Sequence, residues 1–339
     1  MVLQRVVLLD AHPEPLELAD LPIPAPGRGE VLVRVSVCGV CHTELDEIEG
    51  RTPPGKLPLV PGHQVVGKVV DTGPGITKHN IGDRVGVAWI YSACGQCRFC
   101  REGLENLCDD FRATGRDVDG GYAQYMVARE GYAYRLPEVY SDAEAAPLLC
   151  AGAIGYRSLR LARAVATNRL GLMGFGASAH LVLKLVRHQF PEMKVFVFAR
   201  NETERTFARE LGAVWSGDIA EPPPEKPQAI IDTTPAWKPV VASMGHLEKG
   251  GRLVINAIRK EAGDKNSLQN LSYSDHLWME KEIKSVANIT GRDVAEFLEL
   301  AAAAGIRPHV ETYPLEAANR ALRELRNRDI RGAKVLVMP

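Results

Sequence analysis

The stretch Leu170-Gly-Leu-Met173-Gly174-Phe175-Gly176-Ala-Ser-Ala179 decides the fold. A short apolar strand candidate runs straight into a glycine turn. Ala177 to Gln189 then reads as a helix, with Ala179, Val182, Leu185 and Val186 on one face. G-x-G-x-x-A between a strand and a helix is a dinucleotide-binding fingerprint in its required setting. Gly174 permits the tight turn, Gly176 lets backbone approach a pyrophosphate, and small Ala179 allows close helix–strand packing. Free N–H groups and the helix dipole would then hold the anion. The competing reading is an ordinary glycine turn of an α/β sheet.

Working outward, strands and helices alternate from about Ser141 to Ile289. Lys194 to Ala199 is a second strand, and Glu202 to Leu211 a second helix, stopped by Gly212. Ala229 to Asp232 and Gly251 to Asn256 are further strands, while Glu221 to Pro227 carries four prolines and reads as a surface loop. Such alternation argues for a parallel sheet covered on both faces. NAD enzymes usually place an acid at the end of the second strand, to bond the ribose 2′-hydroxyl. Here Ala199 is followed by Arg200, whose guanidinium suits a 2′-phosphate, so NADP is favoured over NAD. The alternative is a solvated Arg200, with Glu202 or Glu204 serving the ribose.

The first 145 or so residues read differently. Glu30 to Val37 alternates as a half-buried strand does, and dense glycine and proline punctuation implies short strands joined by tight turns. The last fifty residues hold helices near Val294–Ala304 and Glu316–Arg326, then a strand, Lys334–Val337, that could rejoin the first domain. The expected organisation is 1–145, 146–289 and a C-terminal return over 290–339.

Composition narrows the class. The 339 residues are 45% hydrophobic and 24% charged, with a formal net charge of −1. That is an ordinary globular balance and argues for neither nucleic acid nor an anionic membrane as partner. Met1 to Glu14 lacks the apolar core of a signal peptide, and no run of eighteen apolar residues occurs. A cytoplasmic protein is expected. Its seven cysteines are odd in number, so reduced thiols available to metal are expected rather than a disulfide framework.

Four of these thiols, Cys94, Cys97, Cys100 and Cys108, fall within fifteen residues. Cys₄ is a closed structural zinc set. An iron–sulfur cluster normally has a shorter last gap followed by proline, whereas Asp109 follows Cys108 here. Metal-free or disulfide-bonded thiols are the third possibility. A full shell gives stability of one lobe and no chemistry.

Cys41 lies in Cys38-Gly-Val-Cys41-His42-Thr43-Glu44, His63 in Pro61-Gly62-His63-Gln64, and Cys150 in Pro147-Leu-Leu-Cys150-Ala-Gly152. Singly, each is more often a buried thiol or a core histidine. Together with Gly82-Asp-Arg-Val85, the cysteine lobe, the glycine turn and Lys249-Gly-Gly-Arg-Leu253, in this order, the chain resembles zinc-containing medium-chain alcohol dehydrogenases. The bacterial and cinnamyl-alcohol-dehydrogenase-like branches are the most similar. The resemblance implies an α/β protein: a β-rich, GroES-like catalytic domain plus a Rossmann domain with a doubly wound parallel sheet, the active site lying in the cleft between them. It implies that Cys41, His63 and Cys150 bind a catalytic zinc, the Cys₂His set by which alcohol dehydrogenases are known. Such a zinc lowers the pKa of an alcohol and, in reverse, polarises an aldehyde carbonyl.

Residue by residue, Thr43 matches the hydroxyl that takes the alcohol proton, or is a strand-end or cap hydroxyl, and His42 matches a residue contacting the pyrophosphate, or is a surface histidine. Glu44 matches an acid orienting the zinc histidine. Trp89 matches a substrate-pocket aromatic, or is otherwise a core aromatic. Cys38 is a spare thiol. Departures also appear. Gln64 replaces the usual glutamate, Asp46 a histidine that passes the proton to solvent, Ile154 a threonine near the nicotinamide, and Ala333 an arginine near the pyrophosphate, with Lys334 adjacent. Asp46 or water would complete the proton route. Two zincs per chain, a small alcohol or aldehyde substrate with an apolar pocket, and a homodimer or homotetramer are expected. A zinc-free quinone or enoyl reductase, and a non-enzymatic zinc- and nucleotide-binding redox sensor, are the alternatives.

Overall fold

The computed structural model describes residues 1–164, 168–327 and 332–339. They form two compact units, Met1–Cys150 with Ile289–Pro339, and Ala151–Asn288.

In the first unit the chain is organised about one long strand, Glu30–Val40. Its first half pairs with Tyr125–Arg129, its second half with Ala333–Val337, and its other edge with Val65–Thr72, all antiparallel. Arg84–Val87 and Ala133–Arg135 extend the sheet on one side and Val310–Pro314 on the other. Register shifts after Leu32 and Val35 bend the strand so that it can serve partners at both ends. The expected half-buried alternation holds only around Arg34. Val31, Val33, Val35 and, past the second shift, Cys38 join one core, yet Leu32 is buried too, and the helix Asp142–Pro147 packs against the strand. Each fully buried valine contributes roughly 1.5 kcal/mol or more.

Two features of this unit place chemistry. Val40 leads directly into Cys41, whose extended backbone (φ −137°, ψ 178°) ends the strand and caps the helix His42–Ile48. The second is the turn before His63. Gly62 has φ +101°, and an added Cβ there would lie 2.4 Å from Tyr122 Cδ1 and 2.9 Å from Cys38 Sγ. The turn is tied down by Gly121 N–H to Gly62 O (2.9 Å) and Tyr122 N–H to Pro61 O (3.0 Å).

The second unit is built on a parallel sheet of six strands among the described residues. In sheet order these are Trp215–Gly217, Lys194–Phe198, Arg169–Met173, Ala229–Asp232, Arg252–Ile255 and Glu282–Ser285. Numbered along the chain this is 3-2-1-4-5-6, the dinucleotide-binding order that reverses between its first and fourth strands. Leu170, Leu172, Val195, Val197, Ile230 and Ile231 are at most 1% exposed, as parallel strands covered on both faces require. The helix Ala177–Gln189 begins and ends where the apolar periodicity places it. Glu282–Ser285 has no sequence signature: all four residues are exposed, so neither alternation nor an apolar run marks it.

Replacing Gly62 by alanine forces a positive φ and an overlap with Tyr122. The expected loss is roughly 1–3 kcal/mol from overpacking, with backbone strain added. The urea midpoint of the variant measures the loss, and bound metal should fall with it because His63 follows directly.

Candidate active site and metal centres

Cys41, His63 and Cys150 are separated widely in sequence, yet their ligand atoms lie within 4.8 Å of one another. Cys41 Sγ is 3.7 Å and Cys150 Sγ 3.4 Å from His63 Nε2. The helix cap brings Cys41, the glycine turn brings His63, and a single wide helical turn, Leu148–Gly152, brings Cys150. His63 is 1% exposed, whereas Cys41 and Cys150 are half-buried.

Glu44 joins two parts of this arrangement. Its Oε2 accepts from Cys41 N–H at 2.8 Å, closing a capping box in which the Cys41 sulfur accepts from the helix backbone. Its Oε1 lies 2.7 Å from His63 Nδ1, a charge contact set off the axis of a hydrogen bond. The basicity of His63 is raised: burial lowers it, but Glu44 and Cys41 more than offset the burial. The Cys41 thiol is pushed well up by the neighbouring Cys150 thiol and by burial. Both thiols can ionise together here only if a cation neutralises them, and a three-donor N/S set fits a four-coordinate zinc.

The remaining expected residues fall around this trio or in the other unit. Thr43, on the first turn, is 8% exposed. His42 is exposed beside it. Trp89 is buried, its ring meeting His63 edge-on at 5.0 Å. Gln64 is buried with its backbone carbonyl accepting from Gly39 N–H at 2.9 Å. Asp46 is buried and its Oδ1 takes a 2.6 Å ion pair from Arg51. Cys38 is fully buried under the glycine turn. Ile154 lies half-buried in the second unit, on the helix Ala153–Leu161. Lys334, beside Ala333, is buried and donates to Glu311, Glu324 and Tyr313.

Cys94, Cys97, Cys100 and Cys108 likewise bring four sulfurs within 4.8 Å of one another. Local backbone orders them: Cys97 N–H donates to Cys94 Sγ (3.3 Å), Cys94 N–H to Cys108 Sγ (3.4 Å), and Cys97 caps the short helix Arg98–Arg101. Backbone donors at Gln96 and Cys97 hold the Cys94 thiol down at about 7, while burial pushes Cys100 up to about 12. Neutral thiols convert to a tetrathiolate set most readily against a divalent ion, and four sulfurs complete its shell.

In the second unit Gly174 has φ +86°, and an added Cβ on Gly176 would meet nothing within 4 Å. The helix Ala177–Gln189 has no side-chain cap, which leaves its first N–H groups free for an anion. Phe175 and Ala179 are buried behind the turn. At the end of the second strand Ala199 is buried and Arg200 exposed. Glu202 is occupied by Arg209, at 2.5 Å, and by Arg205. Arg205 was not singled out in the sequence; its Nε donates to Ala199 O at 2.8 Å, placing a second guanidinium at this strand end. Only its i, i+3 spacing from Glu202 hinted at the pair.

Residues 27–138 match the Alcohol dehydrogenase GroES-like domain family. The chain is 40% identical to a probable alcohol dehydrogenase of Mycobacterium tuberculosis, over 96% of this chain and 93% of that one. It is 31% identical to an alcohol dehydrogenase of Geobacillus stearothermophilus, over 98% of each. Among solved structures it superposes on a cinnamyl alcohol dehydrogenase of Sorghum bicolor with a TM-score of 0.80 at 27% identity, covering 94% of this chain and 92% of the other. No helix among the described residues is long and apolar enough to cross a membrane. With this fold, these thiol–imidazole groups and these relatives, the chain belongs to the zinc-containing medium-chain alcohol dehydrogenases and is an oxidoreductase of alcohols and aldehydes.

Proposed function

We propose that Cys41, His63 and Cys150 hold a catalytic zinc, that the four-cysteine lobe holds a second, structural one, and that the dinucleotide is NADP(H). The observation that carries the reading is the convergence of two thiols and one imidazole from distant parts of the sequence. It favours a zinc-dependent enzyme over a zinc-free quinone or enoyl reductase and over a redox sensor, since neither needs these three ligands brought together. When bound, zinc supplies Lewis acidity to the substrate oxygen, and the dinucleotide exchanges the hydride. The chain's own groups do the rest. Glu44 holds the His63 ring in one orientation through Nδ1. Thr43 Oγ1 takes the proton of the alcohol. Because Asp46 is tied to Arg51, the onward route runs from Thr43 toward solvent, with Asp46 shaping the field. Trp89 supports His63 and supplies an apolar wall to the substrate.

The NADP preference rests on the exposed guanidinium of Arg200 at the end of strand Lys194–Phe198 and on the engagement of Glu202 with Arg205 and Arg209; Arg205 itself is held by Ala199 O and Asp218. A homodimer is supported by the edge strand Glu282–Ser285, which carries exposed Ile283 between Glu282 and Lys284 and is preceded by exposed Trp278 and Met279. A second copy paired antiparallel about Ile283 would set Glu282 opposite Lys284 twice, and would cover an edge that isolated proteins protect.

Cys41→Ser should abolish turnover and leave one zinc per chain in metal analysis; full activity, or zinc unchanged at two, contradicts the site. Thr43→Ala should lower kcat by about 10²–10⁴-fold, the usual contribution of a positioned proton acceptor, and Asp46→Asn by far less. Arg200→Ala should raise the KM for NADP by roughly tenfold, about 1.4 kcal/mol, with little effect on NAD. If the wild type prefers NAD, the cofactor assignment fails. Ile283→Lys puts like charges across the two-fold and should convert the dimer to monomer in analytical ultracentrifugation.

A further inference from the structure

Within Ala151–Asn288 a buried charge pair stands at the carboxyl edge of the parallel sheet. Asp232 ends the strand Ala229–Asp232 and is fully buried. The Lys260 side chain, 7% exposed, donates to Asp232 Oδ2 at 2.5 Å, to Thr234 O at 2.8 Å and to Ala236 O at 3.0 Å. Asp232 Oδ1 in turn accepts from Thr234 N–H (2.9 Å) and Thr234 Oγ1 (2.7 Å). Backbone bonds from Asn256 N–H to Asp232 O and from Glu261 N–H to Pro235 O, both 2.7 Å, join the same two loops. Each ammonium proton thus has an acceptor, and the loop after the fourth strand is clamped to the loop after the fifth. Burial holds the Asp232 carboxyl above the usual carboxylate range, and Lys260 counters only part of the rise.

The position of this clamp gives it meaning. Arg169–Met173 and Ala229–Asp232 are the neighbouring strands between which the sheet order reverses, and ligands of such sheets bind beyond the carboxyl ends there. Thr233 N–H bonds Met173 O at 2.9 Å. An added Cβ on Gly174 would lie 2.9 Å from Thr233 Oγ1 and 3.0 Å from Thr234 Cγ2, so the two threonines form the surface on which the glycine turn rests. A buried ion pair is seldom a better source of stability than apolar residues of the same volume, so stability alone does not account for one at this place. We infer that Lys260 and Asp232 are positioning residues for the dinucleotide, acting through Thr233 and Thr234 to set the Gly174–Gly176 turn. Without Lys260 burial would drive the Asp232 carboxyl to its neutral form, and the carbonyls of Thr234 and Ala236 would lose the ammonium that ties their loop to the next. The inference rests on the dinucleotide reading of that turn.

The test titrates the full-length protein with NADPH and NADH by fluorescence, beside steady-state kinetics and thermal melts. Lys260→Met should raise the dinucleotide Kd and KM by about tenfold or more, with kcat at saturating dinucleotide changed far less. Thr234→Val, which keeps the volume and removes one donor to Asp232, should raise Kd by roughly threefold. If Lys260→Met does not fold, the double variant D232N/K260M buries no unpaired charge and should still bind more weakly than wild type. A wild-type Kd in these variants, with only the melting temperature lowered, makes the pair purely structural and overturns the inference. A wild-type protein that binds neither dinucleotide overturns the reading of the turn and the inference together.

Discussion

One carboxylate holds the reactive corner together. Glu44 is fully buried, and a buried charge must be answered on every side. One oxygen answers the Cys41 N–H, the other lies against His63 Nδ1. The same group therefore starts the helix His42–Ile48 and aims the imidazole of a segment some twenty residues on. Helix formation and ligand orientation are coupled through it. Strand Glu30–Val40 delivers Cys41 to that point, and the turn at Gly62 delivers His63.

The two thiol sites differ in what builds them. The lobe of Cys94, Cys97, Cys100 and Cys108 is local. Its sulfurs are ordered by backbone N–H groups within the same fifteen residues, and one cysteine caps the next helix. The trio of Cys41, His63 and Cys150 is not local, and its third member comes from the turn Leu148–Gly152. A closed tetrathiolate shell stabilises a loop that has little core of its own, whereas an open three-ligand shell is useful only if long-range packing keeps it open.

The dinucleotide unit follows a different logic. A parallel sheet must be covered on both faces, so its strands are apolar runs and its chemistry is confined to their carboxyl ends. There, charges that have no place in the sheet are allowed if they are paired, as Asp232 is with Lys260 and Arg205 with Asp218. These pairs tie chain segments together at that edge while the strands behind them remain apolar.

The sequence by itself determined whatever depends on near neighbours. The strand–turn–helix at Gly174, the helix Ala177–Gln189, the strand Ala229–Asp232, the spacing of the four-cysteine lobe and the α/β class are all written in periodicity, glycine placement or short spacing. Tertiary structure decided what depends on distant ones. It made Glu30–Val40 a two-faced central strand, joined Asp46 to Arg51, set Trp89 against His63, brought Arg205 to Ala199, closed Lys260 on Asp232, and left Glu282–Ser285 as an exposed edge. The reason is physical: periodicity reports which face of an element is buried, whereas a side chain's charge partner is chosen by whatever the folded chain carries into reach.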